Sequence, residues 1–329
     1  MTKKLVTIGA KDLSQETFPP IKWFAENLLG PGCYLLASLP KQGKGFWVLG
    51  LGLAITEGTP FLGMFRTSRS GVCILGLEDR LRRLQGRLWR MSDDPSNELR
   101  LAERSERLDS GLIGQLEADL ADHPGTGVYV VDTYAAVRTP GSDYGYQTDY
   151  DDLSLFATFA DKHGVCVVVC HHCKKTIDPA QPFLSISGTT GLIGAVSGMV
   201  VIHDDPQCAE GESIMAIEGK DVERAHYKIA LRDCAWSMVE PLSETQVIGR
   251  SAPDCVNEVI TFMQARGEPW HGSAAELVEA VHSSETRPDV FGKYLAQNRD
   301  YMARCGVAYE RRHTRSGNVL ALNPISASE

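Results

Sequence analysis

The sequence predicts an α/β fold, in which a large domain built on a mostly parallel β-sheet precedes a small domain of helices and a hairpin. Continuous apolar runs end at residues 37, 77, 131 and 170. Strands that are apolar throughout are typical of parallel sheets covered on both faces. Segments of helical length separate these runs. A chain of 329 residues, 43% hydrophobic and 23% charged, can form one such domain and a smaller second one.

The order of these segments divides the chain into four predicted parts. Residues 1–30 are a lead-in that packs on the core, and residues 31–240 form the large domain. Residues 241–252 are predicted to be a linker. Residues 253–329 are predicted to form three short helices and a hairpin, a pattern typical of winged-helix DNA-binding domains. A small packing or protein-contact domain is equally compatible with this slightly acidic tail.

The first apolar run, 33–37, leads into a turn rich in glycine and lysine and then into a predicted helix, 46–56. Strand, turn and helix in this order are the setting of a phosphate-binding loop, whose backbone N–H groups surround phosphate oxygens. Lys44 is placed to contact the β- and γ-phosphates of a nucleotide. The predicted phosphate-binding residues are Ser38, Pro40, Lys41, Gln42, Gly43, Lys44, Gly45 and Phe46.

The turn departs from the motif G-x-x-x-x-G-K-[ST] at both ends. Ser38 replaces the first glycine, and Gly45 replaces the serine or threonine whose hydroxyl binds Mg²⁺. No backbone group replaces a hydroxyl ligand on the metal. We therefore expect weakened hydrolysis with retained nucleotide binding, and we expect Gly45→Ser to raise hydrolysis with little change in nucleotide affinity.

Two later strands end in carboxylates. The run 71–77 leads to Glu78 and Asp79, and the run 128–131 leads to Asp132. Ligands of open α/β sheets bind at the carboxyl ends of the strands, and a carboxylate there holds Mg²⁺ through water in nucleotide-hydrolysing proteins. The basic helix predicted at 80–91 fits either a solvated surface or a contact between subunits.

The apolar strand 164–170 ends in a cluster of histidine and cysteine, 170–173. A zinc site is disfavoured there, because neighbouring strand residues point to opposite faces and no second ligand pair completes four ligands. The nine cysteines of the chain, without paired spacing, fit a reducing cytosol.

The overall charge and hydropathy exclude two classes of protein. A net charge of −9 excludes binding of nucleic acid through bulk positive charge, so any DNA contact must come from a local basic surface or from the inner face of a ring. The sequence has neither the apolar core of a signal peptide nor a run of about 18 apolar residues. It therefore predicts a cytoplasmic protein with no membrane partner.

Taken in order, residues 19–240 resemble the RepA-like branch of the RecA-type P-loop ATPases, the ring-forming helicases and relatives of plasmids, phages and other mobile elements. The resemblance covers about two thirds of the chain and rests on six segments in the family's order: 40–44, 77–79, 131–133, 171–174, 187–191 and 219–221. It implies a RecA-like ATPase core, ATP and Mg²⁺ as cofactors, self-association as a hexamer, and single-stranded DNA passing through the ring.

The resemblance also implies roles for residues of the catalytic centre. Lys44 binds phosphate, Asp132 positions Mg²⁺ through water, and Glu78 polarises the attacking water as the general base. His172, in preference to His171, senses the γ-phosphate and transmits its presence to a DNA-facing loop at 176–190.

Other positions both extend and weaken the resemblance. Lys220 stands where the family has an arginine that reaches the neighbouring subunit's nucleotide, and lysine keeps the charge but loses the bidentate fork. Ser197 replaces an aspartate and Cys173 a threonine of the family pattern.

Three functions remain open from the sequence. One is an ATP-hydrolysing DNA helicase for replication of a mobile element. Another is a nucleotide-dependent regulator or loader with little or no hydrolysis, which Gly45 and the acidic balance favour. The third is a winged-helix DNA binder with a degenerate ATPase domain. The predicted DNA-binding residues are Arg311, Arg312 and Arg315, in the turn 311–317 of the predicted hairpin.

Overall fold

A computed structural model describes residues 5–140, 145–314 and 317–325. In its first part, strands and helices alternate. The elements in chain order are α1 (Ala10–Leu13), β1 (Gly32–Ser38), α2 (Lys44–Glu57), β2 (Gly71–Gly76), α3 (Leu81–Met91), β3 (Leu99–Ala102), α4 (Leu112–Asp122), β4 (Thr126–Asp132), α5 (Tyr134–Val137), α6 (Tyr146–His163) and β5 (Cys166–His172).

The second part contains more strands than helices at first, and then mostly helices. Its elements are α7 (Thr190–Ala195), β6 (Gly198–His203), β7 (Glu212–Gly219), β8 (Ala225–Arg232), β9 (Ala235–Leu242), α8 (Glu244–Ser251), α9 (Asp254–Arg266), β10 (Trp270–Gly272), α10 (Ala274–Val281), α11 (Pro288–Gln297), α12 (Arg299–Arg304), β11 (Val307–Thr314) and β12 (Gly317–Pro324).

Within the described ranges, nine strands form one sheet in the order β3-β2-β4-β5-β1-β6-β7-β8-β9. The strands from β3 to β6 in this order run parallel, whereas β7, β8 and β9 extend the sheet in antiparallel fashion. The prediction of a mostly parallel central sheet is confirmed. Because β2, β4, β5 and β1 are neighbouring parallel strands, their carboxyl ends meet at one edge of the sheet.

Apolar layers cover both faces of this sheet, which explains the continuous apolar runs of the sequence. Along β1, Tyr34 and Leu36 pack into the layer that contains α2. Leu35 and Ala37 pack into the opposite layer, which contains α4 and α6. Alternate residues of one buried strand thus pack into two cores. The turn that is predicted to bind phosphate follows this middle strand of the sheet.

The stretch 241–252, predicted as a linker, contains the end of β9 and helix α8. Ser243 accepts a hydrogen bond from the backbone N–H of Gln246, whose side chain accepts one from the Ser243 backbone. This reciprocal capping begins the helix, whose residue Val247 is buried.

The C-terminal part has its own apolar core, centred on Phe291, Leu295 and Leu322. Helices α9 to α12 pack beside a small antiparallel sheet of order β10-β12-β11. The hairpin differs from the prediction in one respect. Arg311 and Arg312 lie within β11, opposite Leu320 and Val319, because the strand pairing continues beyond the predicted end at residue 310.

Candidate functional site

A cavity of about 490 Å³ lies at the carboxyl edge of the sheet. It is bounded by the turn after β1, the segment after β2, the face of α3 that carries Arg83 and Arg87, the ends of β4 and β5, and the end of β8. The lining residues are Pro40, Lys41, Gly43, Lys44, Gly45, Phe46, Glu78, Asp79, Arg83, Arg87, Asp132, His172 and Leu231. Lys44, Glu78 and Asp132, which lie far apart in the sequence, therefore share one wall.

The turn after β1 is held in shape by its own residues and by the antiparallel strands. The Leu39 N–H donates to Gln42 Oε1 at 2.9 Å, and Trp236 Nε1–H on β9 donates to the Gly43 carbonyl at 3.1 Å. Gly43 has a left-handed φ of 77°, and a Cβ there would lie 2.9 Å from Leu231 Cδ2. Glycine suits this position, because it adopts a left-handed φ without strain and any side chain would press against Leu231 and Trp236.

The Lys44 ammonium lies between the end of β1 and the end of β5. Its Nζ is 3.1 Å from Ser38 Oγ and 3.4 Å from His172 Nδ1. Burial, and next the Lys44 charge, lower the pKa of His172. The imidazole is therefore neutral near pH 7, and Nδ1 accepts from the ammonium when the ring proton is on Nε2.

Asp132 and Glu78 form the acidic wall of the cavity. Burial is the main cause that raises the pKa of Asp132, the Glu78 carboxylate raises it further, and Lys44 acts in the opposite direction. The two carboxylates are thus close enough to repel each other, and Lys44 partly compensates this repulsion.

Arg87 reaches the cavity from α3 and lies over Gly45. Its guanidinium is 2.5 Å from Asp79 Oδ2 and lies over the Phe46 ring at 5.4 Å from the centroid. Arg83 contacts the other oxygen of Asp79 at 2.5 Å. A Cβ built at Gly45 would be 2.5 Å from Arg87 Nη1, so a cationic group occupies the space into which a side chain at position 45 would extend.

These residues do not fit Mg²⁺ in the way the phosphate-binding motif implies. Gly45 has no hydroxyl to bind the metal. A side chain at this position would extend towards the guanidinium of Arg87. A metal ion bound on that side of Gly45 would be repelled by this guanidinium. The residues that are predicted to bind phosphate fit a nucleotide, because the turn 40–43 and the start of α2, with Lys44, border the cavity and such a turn presents backbone N–H groups.

The two histidines that end β5 face opposite sides of the sheet. His171 Nε2 lies 3.0 Å from the Ser187 carbonyl, its ring packs edge-on against Tyr134, and burial lowers its pKa to about 4. His172 borders the cavity, and its carbonyl accepts the Ser187 N–H at 2.9 Å. The backbone of β5 thus connects the cavity with the segment around Ser187.

The segment after Ser187 is fixed from the other side by a buried carboxylate. Asp149 on α6 is 2% exposed and accepts hydrogen bonds from the Thr189 backbone N–H and hydroxyl. It also pairs with Arg138 at 3.1 Å. A single buried side chain therefore joins α6 to this segment.

Three residues predicted for the nucleotide site, namely Ser38, Gln42 and Lys220, do not line the cavity. Ser38 and Gln42 do not line the cavity but make hydrogen bonds within the turn. Lys220 follows β7 at the opposite edge of the sheet, where its N–H donates to the Ser197 carbonyl at 2.8 Å. The length of β1 separates that edge from the cavity by roughly 20 Å.

The predicted DNA-binding arginines lie in the C-terminal hairpin. Arg311 and Arg312 are exposed, and Arg312 pairs with Glu310 at 2.8 Å. Arg315 lies outside the described residues.

Sequence reasoning did not assign Arg83, Arg87, Leu231 or Trp236 to the site. The arginines had a detectable signal, because Asp79, Arg83 and Arg87 recur every four residues, a spacing that aligns side chains on one helix face. Leu231 and Trp236 had none, since their contact with Gly43 depends on how the antiparallel strands fold back.

Two features are absent from the part of the chain that the structure describes. No helix there is long and apolar enough to cross a membrane. No group of three or more histidine, cysteine, aspartate or glutamate side chains in those ranges is arranged to hold a metal ion.

Comparison with known proteins agrees with this architecture. A family model described as "AAA domain" matches residues 4–178, more than half of the chain. The chain belongs to the AAA domain family. A search of curated proteins finds no match to this AAA-domain chain.

Two solved structures resemble this AAA-domain chain to different degrees. The structure titled "ATPase Domain of G40P" matches with a TM-score of 0.53 and 11% identity, over 64% of this chain and 85% of that chain. The structure titled "Crystal structure of the RadB recombinase" matches with a TM-score of 0.47 and 15% identity, over 65% of this chain and 93% of that chain. The first likeness shows that this chain shares its α/β fold with that domain.

Proposed function

We propose that this protein binds and hydrolyses ATP and acts on DNA as a RepA-like helicase in the replication of a mobile element. The observation that carries the proposal is the convergence of Lys44, Glu78 and Asp132 on one cavity beside a glycine-containing turn. Family membership and the shared fold agree with ATP as the ligand. The DNA-directed part of the proposal rests on the resemblance of the sequence segments and on the C-terminal part.

In this proposal, the turn 40–46 and the start of α2 surround the phosphates with backbone N–H groups. Lys44 adds a mobile point charge to the terminal phosphates. Glu78, which is exposed to the cavity, orients and polarises the attacking water. Asp132 shares the same wall and stabilises the ammonium of Lys44.

The contacts of His172 support a path from nucleotide to DNA. Its side chain approaches Lys44, while its carbonyl holds the Ser187 N–H. We propose that a change at the terminal phosphate moves the segment 176–190, on which DNA is bound. Lys220, at the opposite edge of the sheet, then reaches the nucleotide of a neighbouring subunit, which requires self-association, with a hexamer as the expected form.

The C-terminal part supports a winged-helix module. The order helix, strand, helices and long hairpin, with β10 pairing to β12, suits this assignment. We propose that the hairpin carrying Arg311 and Arg312 contacts the DNA backbone.

The test is ATP hydrolysis and strand displacement by the full-length protein. We expect single-stranded oligo(dT) to stimulate ATP hydrolysis several-fold and a forked DNA duplex to be separated only when ATP is present. Lys44→Ala is the control with weakened nucleotide binding, and Lys175→Ala is its charge-matched control on the surface. ATP binding without any stimulation by DNA and without strand displacement would refute the helicase proposal.

One observation favours a second function, that of a nucleotide-dependent regulator or loader. The combination of Gly45 with an adjacent Arg87 removes a hydroxyl that supports fast hydrolysis. In that case ATP would drive assembly without turnover. Light scattering during size-exclusion chromatography, with ATP and with ADP, distinguishes the two functions when combined with the hydrolysis rate.

A further inference from the structure

We propose that the guanidinium of Arg87 replaces the divalent metal ion beside the nucleotide phosphates, so that ATP binds to this protein without Mg²⁺. The inference rests on the proposed ATP binding and concerns how the charge of the triphosphate is neutralised. It assigns a binding role to a residue outside the phosphate-binding turn.

The first support is the complementarity of Gly45 and Arg87. At position 45, a Cβ would lie 2.5 Å from Arg87 Nη1 and 3.3 Å from its Cζ. The arginine can therefore take this position only because residue 45 has no side chain. Glycine creates the space, and a permanent positive charge fills it.

The second support is that Arg87 is held in place before any ligand arrives. Asp79 binds its guanidinium at 2.5 Å, and the two side chains are 25% and 13% exposed. The Phe46 ring, on the first turn of α2, supports the guanidinium from the side. A fixed guanidinium presents its donors to phosphate oxygens with little further loss of side-chain entropy.

The third support is the charge of the cavity wall. The carboxylates of Glu78, Asp79 and Asp132 line it and repel a triphosphate. Lys44 offsets only part of that charge. Lys41 and Arg83 also line the cavity, but Lys41 is exposed and Arg83 is 67% exposed, so solvent screens both. Arg87 is the better-buried arginine of this wall, and it lies beside the turn that receives phosphates.

The experiment measures ATP affinity by isothermal titration calorimetry, once with Mg²⁺ and once with EDTA in place of Mg²⁺. For the unmodified protein we expect the two dissociation constants to agree within about threefold. For Arg87→Gln we expect affinity in EDTA to fall at least tenfold. Arg90→Gln removes the same charge from an exposed position on the same helix, and we expect it to bind as the unmodified protein does in both buffers.

A second variant tests the exchange of arginine for metal. Gly45→Ser combined with Arg87→Ala supplies the hydroxyl and removes the side chain that would collide with it. We expect this double variant to bind ATP at least tenfold more tightly with Mg²⁺ than with EDTA. Thermal melting of each variant without nucleotide checks that the fold is retained.

The possible outcomes separate this inference from the proposed function. The inference is overturned if the unmodified protein binds ATP more than about threefold more weakly in EDTA, or if Arg87→Gln behaves as Arg90→Gln does. Tighter ATP binding by Arg87→Gln would also overturn it, because the arginine would then block the cavity. Failure to bind ATP in either buffer would instead refute the nucleotide site, and with it every role assigned there.

Discussion

The cavity and the C-terminal hairpin both present arginine, but in opposite environments. Arg87 in the cavity is 25% exposed and is held by a carboxylate that is itself 13% exposed. Arg312 in the hairpin is 76% exposed, and its partner Glu310 is 47% exposed. Arginine is therefore held in a fixed position in the cavity and is solvated in the hairpin.

The difference determines what each region can recognise. A partly buried charge acts through a low effective dielectric and resists screening by salt, so the cavity can select a ligand by geometry. An exposed ion pair contributes about 0–1 kcal/mol and is screened, so the hairpin can offer only adjustable attraction to a polyanion. We expect substitutions in the cavity to change function by orders of magnitude and substitutions in the hairpin by small factors.

The largest effect is expected from Glu78→Gln. A general base contributes about 10²–10⁴-fold to a rate, so steady-state ATP hydrolysis should fall by that range while ATP affinity stays within about threefold. Coupled-enzyme assays and calorimetry measure the two quantities. The neighbouring Asp79→Asn is the matched control: it should disturb Arg83 and Arg87 and so weaken binding. An equal loss of rate with both variants would contradict a separate role for Glu78.

Lys44→Ala should follow in magnitude, through loss of ATP binding. A hydrogen bond to a charged group contributes about 1.5–3 kcal/mol, so the dissociation constant should rise by roughly 100-fold or less. Lys175→Ala, which changes an exposed lysine two residues beyond Cys173, should leave it unchanged. If both variants bind ATP equally, the phosphates are not held by the turn after β1.

These expectations depend on features that the sequence reveals unequally. The strands that deliver Glu78 and Asp132 were predictable, because uninterrupted apolar runs identify strands buried on both faces. Strand β3 was missed, since Leu99–Ala102 is short, contains Arg100 and lies at the sheet edge. Helix α8 was read as a linker although Ser243 and Gln246 have the spacing of a capping box.

The close packing around the turn was beyond sequence reasoning. Gly43 and Trp236 are 193 positions apart, and no local pattern pairs them. Gly45 appeared as a simple loss of a metal ligand, whereas the structure shows Arg87 in the vacated space. The expected gain of hydrolysis in Gly45→Ser therefore requires Arg87 to move, so the single substitution should gain less than Gly45→Ser combined with Arg87→Ala.

A third prediction concerns acid sensitivity next to the cavity. Burial lowers the pKa of His171 from 6.5 to about 4, so between these values the unfolded chain binds a proton that the folded protein does not. The free energy of unfolding is therefore unaffected by His171 above pH 6.5 and decreases as the pH falls towards 4, by at most about 3 kcal/mol. Urea unfolding of the unmodified protein and of His171→Gln at pH 7.0 and 5.0 measures it. The variant should lose less stability on acidification; equal losses would show that other groups dominate.

The smallest effects are expected in the hairpin, and the two arginines should not contribute equally. Consecutive residues of a strand point to opposite faces, so Arg311 and Arg312 cannot both lie flat against one DNA surface. Glu310 shares the face of Arg312 and pairs with it, which reduces the charge that Arg312 offers to phosphate. Arg311→Ala should therefore weaken binding of single-stranded oligo(dT) by about threefold and reduce the slope of log K against log salt by about 0.7.

Arg312→Ala should change the affinity less than Arg311→Ala does, and Glu310→Gln should raise it because the arginine is then no longer neutralised. Fluorescence anisotropy over a series of salt concentrations measures all three, with Arg266→Ala at the end of α9 as the control for loss of one exposed charge. Equal affinities and slopes for Arg311→Ala and the unmodified protein would assign the hairpin to protein contacts. If Arg311→Ala still weakens DNA binding at high salt, Arg311 acts in a fixed and desolvated contact. The proposed difference between the cavity and the hairpin would then be wrong.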